Sequence, residues 1–350
     1  MNKIDASYLS LVTDILENGV IKGDRTGTGT KSVFGRMIRH DMSDGFPLLT
    51  TKKMAWKTMV TELLWFLRGE TNIRPLVLGG CNIWNGDCYK AYLKNNEKNN
   101  YGSSSETIVL SMKDFIEKIK TDVDFGDKYG ELGPIYGSQW RKWEALDSSN
   151  INISTHEIDQ ITSLIENLKE NPDSRRLIVN AWNVGDISKS VLPPCHFNFQ
   201  VYTRELTVDE YTDLMVEKHG MIVEGGDDEL PTRKISLMWS QRSGDLGLGI
   251  PFNVASYGLL LTILGKIVNM VPYELIAALG DVHLYSNHLE PIKEQLNRKS
   301  FELPMIKHIK SDEFYRELGN DFSKISELSK DDFILENYQS HDKIDLPLSN

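Results

Sequence analysis

Leu192-Pro193-Pro194-Cys195-His196-Phe197-Asn198-Phe199-Gln200-Val201-Tyr202-Thr203 passes from a stiff turn into an aromatic and β-branched segment. Two consecutive prolines rigidify the approach, and Pro194 disfavours helix at Pro193 before it. Residues 196–203 then read as a strand, rich in residues that suit a pleated, half-buried surface. A thiol on such a turn is well placed to be a nucleophile, and a neighbouring cation would raise its thiolate fraction. A lone cysteine is also, more blandly, a small buried apolar side chain. From these residues alone both readings stay open.

Working outward, residues 32–39, 177–182, 235–242 and 282–285 also read as strands. Residues 1–20 read as an amphipathic helix, with Leu9, Leu11, Val12, Ile15 and Leu16 set among Asp5, Asp14 and Glu17. Met59, Val60, Leu63, Leu64 and Leu67 recur at helical spacing within residues 54–68. The apolar run 254–265 stops at Lys266, is too short to span a bilayer and reads as a core helix. No internal repeat or long linker divides the chain, so residues 1–350 read as one domain. Two polar, charge-rich segments, 94–128 and 204–234, read as surface insertions, with a short helical pattern at 112–119. The polar stretch 311–350 carries spaced anchors at Phe314, Phe322, Phe333 and Ile334.

The chain has 350 residues, 40% hydrophobic and 25% charged, which suits a globular protein with a sizeable core. A formal net charge of −11 argues against general nucleic-acid binding, which needs a basic surface. It leaves room for a small phosphate ligand held by a few arginines. Residues 1–20 lack the basic start and apolar run of a signal peptide. The three cysteines, Cys81, Cys88 and Cys195, suggest reduced thiols in the cytoplasm, and their spacing is not that of a metal site.

Other side chains could carry chemistry. Arg175 and Arg176 follow Pro172-Asp173-Ser174, and Arg242 and Ser243 lie in Ser240-Gln241-Arg242-Ser243-Gly244-Asp245. Arginine suits phosphate because its donor fork matches paired oxygens and stays charged. A solvated surface arginine is the alternative. Gly23-Asp24-Arg25-Thr26-Gly27-Thr28-Gly29-Thr30-Lys31-Ser32 looks like a phosphate-cradling loop, but it fails the Walker spacing and runs into a strand rather than a helix. It could still present Arg25 to a phosphate. Glu62 falls beside Leu63 on the apolar stripe of its helix, where desolvation would raise its pKa towards neutral. A structural carboxylate paired with an arginine fits that spacing as well. His283 and Tyr285 lie two apart on a strand and so share a face. They could hold a sugar hydroxyl or be satisfied core residues.

No single signal decides, but their order along the chain does. The sequence closely resembles the thymidylate synthase family in Asp24-Arg25-Thr26-Gly27-Thr28-Gly29, Glu62-Leu63-Leu64-Trp65-Phe66-Leu67 and Gly133-Pro134-Ile135-Tyr136-Gly137. The match continues through Pro172-Asp173-Ser174-Arg175-Arg176, Ala181-Trp182-Asn183-Val184-Gly185 and Pro194-Cys195-His196. It ends with Gln241-Arg242-Ser243, Pro251-Phe252-Asn253-Val254-Ala255-Ser256-Tyr257 and Gly280-Asp281-Val282-His283-Leu284-Tyr285-Ser286-Asn287-His288. The resemblance implies an α/β fold, with a large twisted mixed sheet, packed helices and a dimer interface on the sheet. It implies reductive methylation of dUMP to dTMP, with 5,10-methylenetetrahydrofolate as co-substrate and no metal, membrane or nucleic acid required.

The same resemblance assigns roles. Cys195 would attack C6 of the uracil ring. Glu62, Tyr136 and His196 would move protons. Arg25, Arg242 and Ser243, with Gln241 beside them, would bind the nucleotide. Arg175 and Arg176 would reach the phosphate across a homodimer interface. Asn253 would read the uracil edge, since an amide both donates and accepts. His283 and Tyr285 would hold the deoxyribose hydroxyl. Asp245 would bond to the pterin, Ile83, Trp84, Leu248, Gly249 and Phe252 would line its pocket, and Lys52 would meet the glutamate tail of the folate.

Three positions depart from the family pattern. Asp87 stands where many members carry a second tryptophan, and Gly247 where a phenylalanine is common. The chain ends Pro347-Leu348-Ser349-Asn350, whereas many members end in a small apolar pair whose carboxylate helps close the site. The nearest rival is a dUMP hydroxymethylase on the same scaffold, in which water captures the exocyclic methylene. Trp84 favours methylation. A dCMP hydroxymethylase would carry aspartate in place of Asn253. A nucleotide- or RNA-binding relative without catalysis would have no need of Cys195 and Glu62.

Overall fold

The structure is a computed structural model. It describes residues 1–350 except 25, 101–108, 148–153, 224–226, 228 and 349–350, and the side chains of 97–100 and 147 lie outside the description too. The backbone forms two compact units. One comprises Met1–Met54, Ile161–Val179 and Cys195–Ser349, and the other comprises Ala55–Gln160 and Asn180–Pro194.

The first unit carries a six-stranded sheet in the spatial order Val20–Lys22, Thr30–Asp41, Val271–Tyr285, Arg233–Asp245, His196–Glu205, Ile178–Asn180. Arg233–Asp245 runs parallel to Val271–Tyr285, whereas the pairs Thr30–Asp41 with Val271–Tyr285 and His196–Glu205 with Arg233–Asp245 are antiparallel. The sheet is therefore mixed, and the fold is α/β. The parallel pair is joined by the helix Gly249–Val268, since parallel neighbours need a crossover. This helix starts five residues before the apolar run read from sequence, because Pro251 is tolerated in a first turn where its missing N–H is no loss. At 20 residues it is long and apolar enough to cross a membrane, which corrects the shorter estimate, but 83% of its apolar window is buried inside the protein. It is apolar on all sides because it is surrounded.

The strands at 32–39, 196–203 and 235–242 stand within longer ones. The largest difference is Val271–Tyr285, of which only the last four residues were read as strand. Pro272, Ala277, Ala278 and Gly280 give it weak strand propensity, and its pairing on both sides outweighs that. The segment at 177–182 shortens to Ile178–Asn180.

The N-terminal helix Lys3–Asn18 is capped by Asn2, whose side chain accepts from the Asp5 N–H at 2.8 Å. Asp5 itself is fully buried and accepts from the N–H and hydroxyl groups of both Thr50 and Thr51. That satisfied carboxylate ties the helix to the strand-following segment.

The second unit is mainly helical. Its central helix, Trp56–Leu67, buries Met59, Val60, Glu62, Leu63, Leu64, Trp65, Phe66 and Leu67. Within residues 94–128, Phe115 and Ile119 are fully buried, one helical turn apart on Met112–Thr121. Phe115 packs on Tyr92 with ring centroids 4.8 Å apart. Within residues 204–234 the helix Val208–His219 opens with a capping box of Thr207 and Glu210.

Candidate active site

Cys195 stands immediately before the His196–Glu205 strand, partly exposed, where the register against Arg233–Asp245 shifts between His196 and Asn198. Its carbonyl accepts from the Arg242 N–H at 2.8 Å. The irregular start of the ladder thus sets the thiol-bearing residue beside the arginine of the neighbouring strand. The two other cysteines differ in kind. Burial, with the Glu62 charge second, pushes the Cys81 thiol up to about 12. Burial likewise takes Cys88 up to about 12, with Glu131 and Asp87 adding to it. Neither can supply thiolate near neutral pH.

His196 is buried, and its Nδ1 lies 2.8 Å from the Tyr257 hydroxyl. Burial pulls its pKa down to about 3, so the ring is neutral. Tyr257 stacks on Trp239 with centroids 4.9 Å apart and planes 9° apart. Sequence reading gave Tyr257 no role, although it lies one helical turn after Asn253. The Gln241 amide is buried, accepting from Trp239 Nε1 at 3.2 Å and donating to the Ser243 carbonyl at 3.0 Å. That places it within the wall of the site, as a brace for the Arg242-Ser243 turn.

Arg242 is exposed, and Ser243 and Asp245 are half-buried along the same strand. The parallel pairing places Ser243 opposite Asp281 and Asp245 opposite His283. His283 and Tyr285 do share a face, with perpendicular rings 5.3 Å apart, and His283 Nδ1 lies 3.2 Å from Asp281 Oδ1. The strand then turns through Leu248 into the helix Gly249–Val268, whose first turn carries Phe252 and Asn253, both half-buried. A Cβ at Gly249 would lie 3.7 Å from the Asp245 Cβ and 4.0 Å from Asn253 Oδ1, so these three residues adjoin. The first unit therefore gathers a thiol, an arginine–serine pair, an amide, a carboxylate and a His–Tyr pair at the ends of adjacent strands.

Lys52 is buried, donates to the Gly247 carbonyl and lies 5.5 Å over the Tyr8 ring. Burial lowers its pKa to about 8, against the opposing charge of Asp245. Its ammonium thus braces the Asp245–Gly247 turn from beneath. Arg175 and Arg176 are exposed in the turn that precedes the Ile178–Asn180 strand. Arg25 lies outside the described residues. Beside it, Asp24 accepts from the Thr26 N–H at 2.8 Å and the Gly29 N–H at 2.7 Å, which shapes the loop.

The second unit gathers Glu62, Ile83, Trp84 and Tyr136. Trp84 Nε1 donates to Glu62 Oε1 at 2.9 Å, and both side chains are buried. Tyr136 packs edge-on to Trp84, with centroids 6.2 Å and planes 62° apart, and on Phe66 at 4.8 Å. Burial pushes the Glu62 carboxyl up to about 7, with the indole N–H opposing. The partner is a neutral indole, and the pKa sits where proton transfer near neutral pH is easiest. Among the described residues, no group of three histidine, cysteine, aspartate or glutamate side chains could hold a metal ion.

The thymidylate synthase family description matches residues 6–350. A thymidylate synthase of Mycoplasma mobile is 41% identical over 337 residues, covering 96% of this chain and 97% of that protein. One from Aster yellows witches'-broom phytoplasma is 40% identical over 95% of this chain and 96% of its own length. One from Listeria monocytogenes serotype 4a is 42% identical over 85% of this chain and 88% of its own. Two compact units that carry a part-exposed thiol, a strand-end arginine and a buried near-neutral carboxyl, in a chain similar to these enzymes along nearly its whole length, leave one conclusion: the chain belongs to the thymidylate synthase family.

Proposed function

We propose that this chain reductively methylates dUMP to dTMP, taking both the carbon and the hydride from 5,10-methylenetetrahydrofolate and releasing dihydrofolate. The observation that carries this reading most directly is the contrast among the thiols. Cys195 is part-exposed beside Arg242, while burial takes Cys81 and Cys88 up to about 12. Cys195 adds to C6 of the uracil ring, and the electron pair moves to C5, which attacks the methylene carbon. Loss of the C5 proton, with cleavage of the bond that still joins the methylene carbon to the folate nitrogen, then leaves tetrahydrofolate and an exocyclic methylene. Hydride reduces that group to methyl, and the Cys195–C6 bond breaks to return the thiol.

The remaining roles follow from what each group offers. Arg242 and Ser243 hold the phosphate with Arg25. Asn253 reads the ring edge, and His283 with Tyr285 takes the sugar hydroxyl. Glu62 is the proton-transfer carboxyl, supported by Tyr136 and by a neutral His196. Asp245, Leu248, Gly249 and Phe252 suit a flat pterin that needs a hydrogen-bond acceptor beside apolar walls, and the family resemblance gives Ile83 and Trp84 a role towards the same ligand. Lys52, turned inward beneath Gly247, serves the folate through the Asp245 turn. Three cysteines, none of them in a disulfide, suit a reducing compartment such as the cytoplasm.

Mass spectrometry of the products from dUMP and methylenetetrahydrofolate tests the reading. Equal amounts of dTMP and dihydrofolate are expected. Predominant 5-hydroxymethyl-dUMP, with the folate left unoxidised, would instead mean that water captures the methylene.

The chain is proposed to act as a homodimer. Phe34, Met37, Ile178 and Tyr202 are exposed large apolar side chains on the strands of the main sheet. Such a face calls for a cover, and a second copy supplies one with twofold symmetry. Exposed Arg175 and Arg176 would then serve the phosphate of the partner subunit. Neither Cys195→Ala nor Arg175→Glu/Arg176→Glu should turn over well alone. Mixed dimers of the two should recover roughly a quarter to a half of wild-type activity, because one site then carries both lesions and the other none. Verified heterodimers with no recovered activity would rule out sharing across the interface.

A further inference from the structure

The Asp245 turn and the C-terminal segment meet at one side chain, His288, which is fully buried. Its Nε2 lies 2.7 Å from the Pro347 carbonyl. A carbonyl only accepts, so Nε2 carries the hydrogen. Its Nδ1 is buried without a hydrogen-bond partner and stands 3.7 Å from Asp245 Oδ1. The same Asp245 oxygen accepts from the Gly247 N–H at 2.8 Å. The carboxylate thus has a backbone donor and the imidazole ring as neighbours.

The ring fits there because residue 247 has no side chain. A Cβ at Gly247 would lie 2.5 Å from His288 Nδ1 and 3.2 Å from Cε1, so any side chain there would force the ring to move. The space beside Gly247 is filled by an imidazole brought in from 41 residues away. Upstream, the same C-terminal segment is already laid along the protein. The Tyr338 hydroxyl donates to the Leu49 carbonyl at 2.9 Å, the His341 N–H to Thr50 at 2.9 Å, and Arg298 to the Asp342 carbonyl at 2.7 Å. The bond to Pro347 continues that strap to the edge of the Asp245 turn.

We infer that His288 is a positioning residue: it latches the C-terminal segment at Pro347 beside the Asp245 carboxylate, in the space left by the absent side chain at Gly247. The latch orients Asp245 for the folate and keeps the segment at Pro347 next to it. The functional part of this inference rests on the folate role of Asp245 proposed above. The latch itself does not.

Two measurements separate these levels. Hydrogen exchange of the peptide containing residues 343–348 reports the latch without substrate, and the folate and dUMP KM values report its use. His288→Asn cannot reach Pro347, so tail exchange and folate KM should both rise about 3- to 10-fold, the worth of one such hydrogen bond. The dUMP KM should stay unchanged. His288→Gln, whose amide can reach the position of Nε2, should restore most of the loss. Gly247→Ala should displace the ring and give the same phenotype with both ends of the latch chemically intact, which also covers a His288→Asn that fails to fold. In a chain truncated after Leu346, His288→Asn should raise the folate KM no further. Unchanged tail exchange in both His288→Asn and Gly247→Ala, or additive effects in the truncated chain, would overturn the inference. A wild-type protein that makes no dTMP would sink the functional reading instead, and tail exchange would still report on the latch.

Discussion

Cys195→Ala should abolish turnover, with kcat lower by on the order of 10⁵-fold, while dUMP still binds. The loss is that large because C5 of a uracil ring is not nucleophilic until a group has added at C6, and no other thiol can stand in. Cys81 and Cys88 are buried with pKa values pushed to about 12, so less than about one part in 10⁴ is thiolate near pH 7.5. Cys195 is the part-exposed one. Incubation with 5-fluoro-dUMP and the methylene folate should leave a covalent adduct, because fluorine cannot leave C5 as a proton does. Peptide mapping should find it on Cys195 alone. An adduct on Cys81 or Cys88, or substantial activity in Cys195→Ala, would remove the nucleophile from this position.

Much of that assignment was legible in local sequence. Prolines act on their immediate neighbours, so the rigid approach to Cys195 could be read directly from Pro193-Pro194. The inward turn of Glu62 followed from helical spacing, and its raised pKa followed from that turn. His283 and Tyr285 share a face because a strand has a period of two. What sequence hid depends on partners far along the chain. Lys52 was given the glutamate tail of the folate by resemblance alone, and its hold on the Gly247 carbonyl, some 195 residues away, had no signal in the sequence. The strand Val271–Tyr285 was largely invisible because its small residues and Pro272 carry little strand signal, and only its two neighbours make it one. Tyr257 was visible as a motif residue, but its hold on His196 exists only once helix and sheet are packed. Gly247 stood out as a departure, and the side chain that occupies its space could not be named from sequence.

Glu62→Gln should lower kcat by about 10²- to 10⁴-fold, the range for removing a general acid–base group. It should also stabilise the protein at alkaline pH, and the two effects together identify the carboxyl. Burial raises the folded pKa of Glu62 from 4.5 to about 7, with the Trp84 indole hydrogen bond holding it back from rising further. The unfolded chain ionises near 4.5, so between these values the folded state binds more protons than the unfolded state. Stability due to this group is therefore complete at low pH, falls as pH rises from about 4.5 to 7, and levels off above. The ionised form costs the folded protein about 3 kcal/mol, and glutamine never incurs that cost. Urea denaturation at a series of pH values should thus find Glu62→Gln equal to wild type near pH 4.5 and progressively more stable up to about pH 7. In the wild-type rate profile an inflection should fall near pH 7, and it should be absent from Glu62→Gln. Trp84→Phe, which removes the indole donor but keeps an aromatic ring, should move that inflection to higher pH, because the ionised carboxylate loses its hydrogen bond. A stability difference independent of pH would mean that Glu62 does not change ionisation on folding. An inflection that persists in Glu62→Gln would assign the titrating proton to another group.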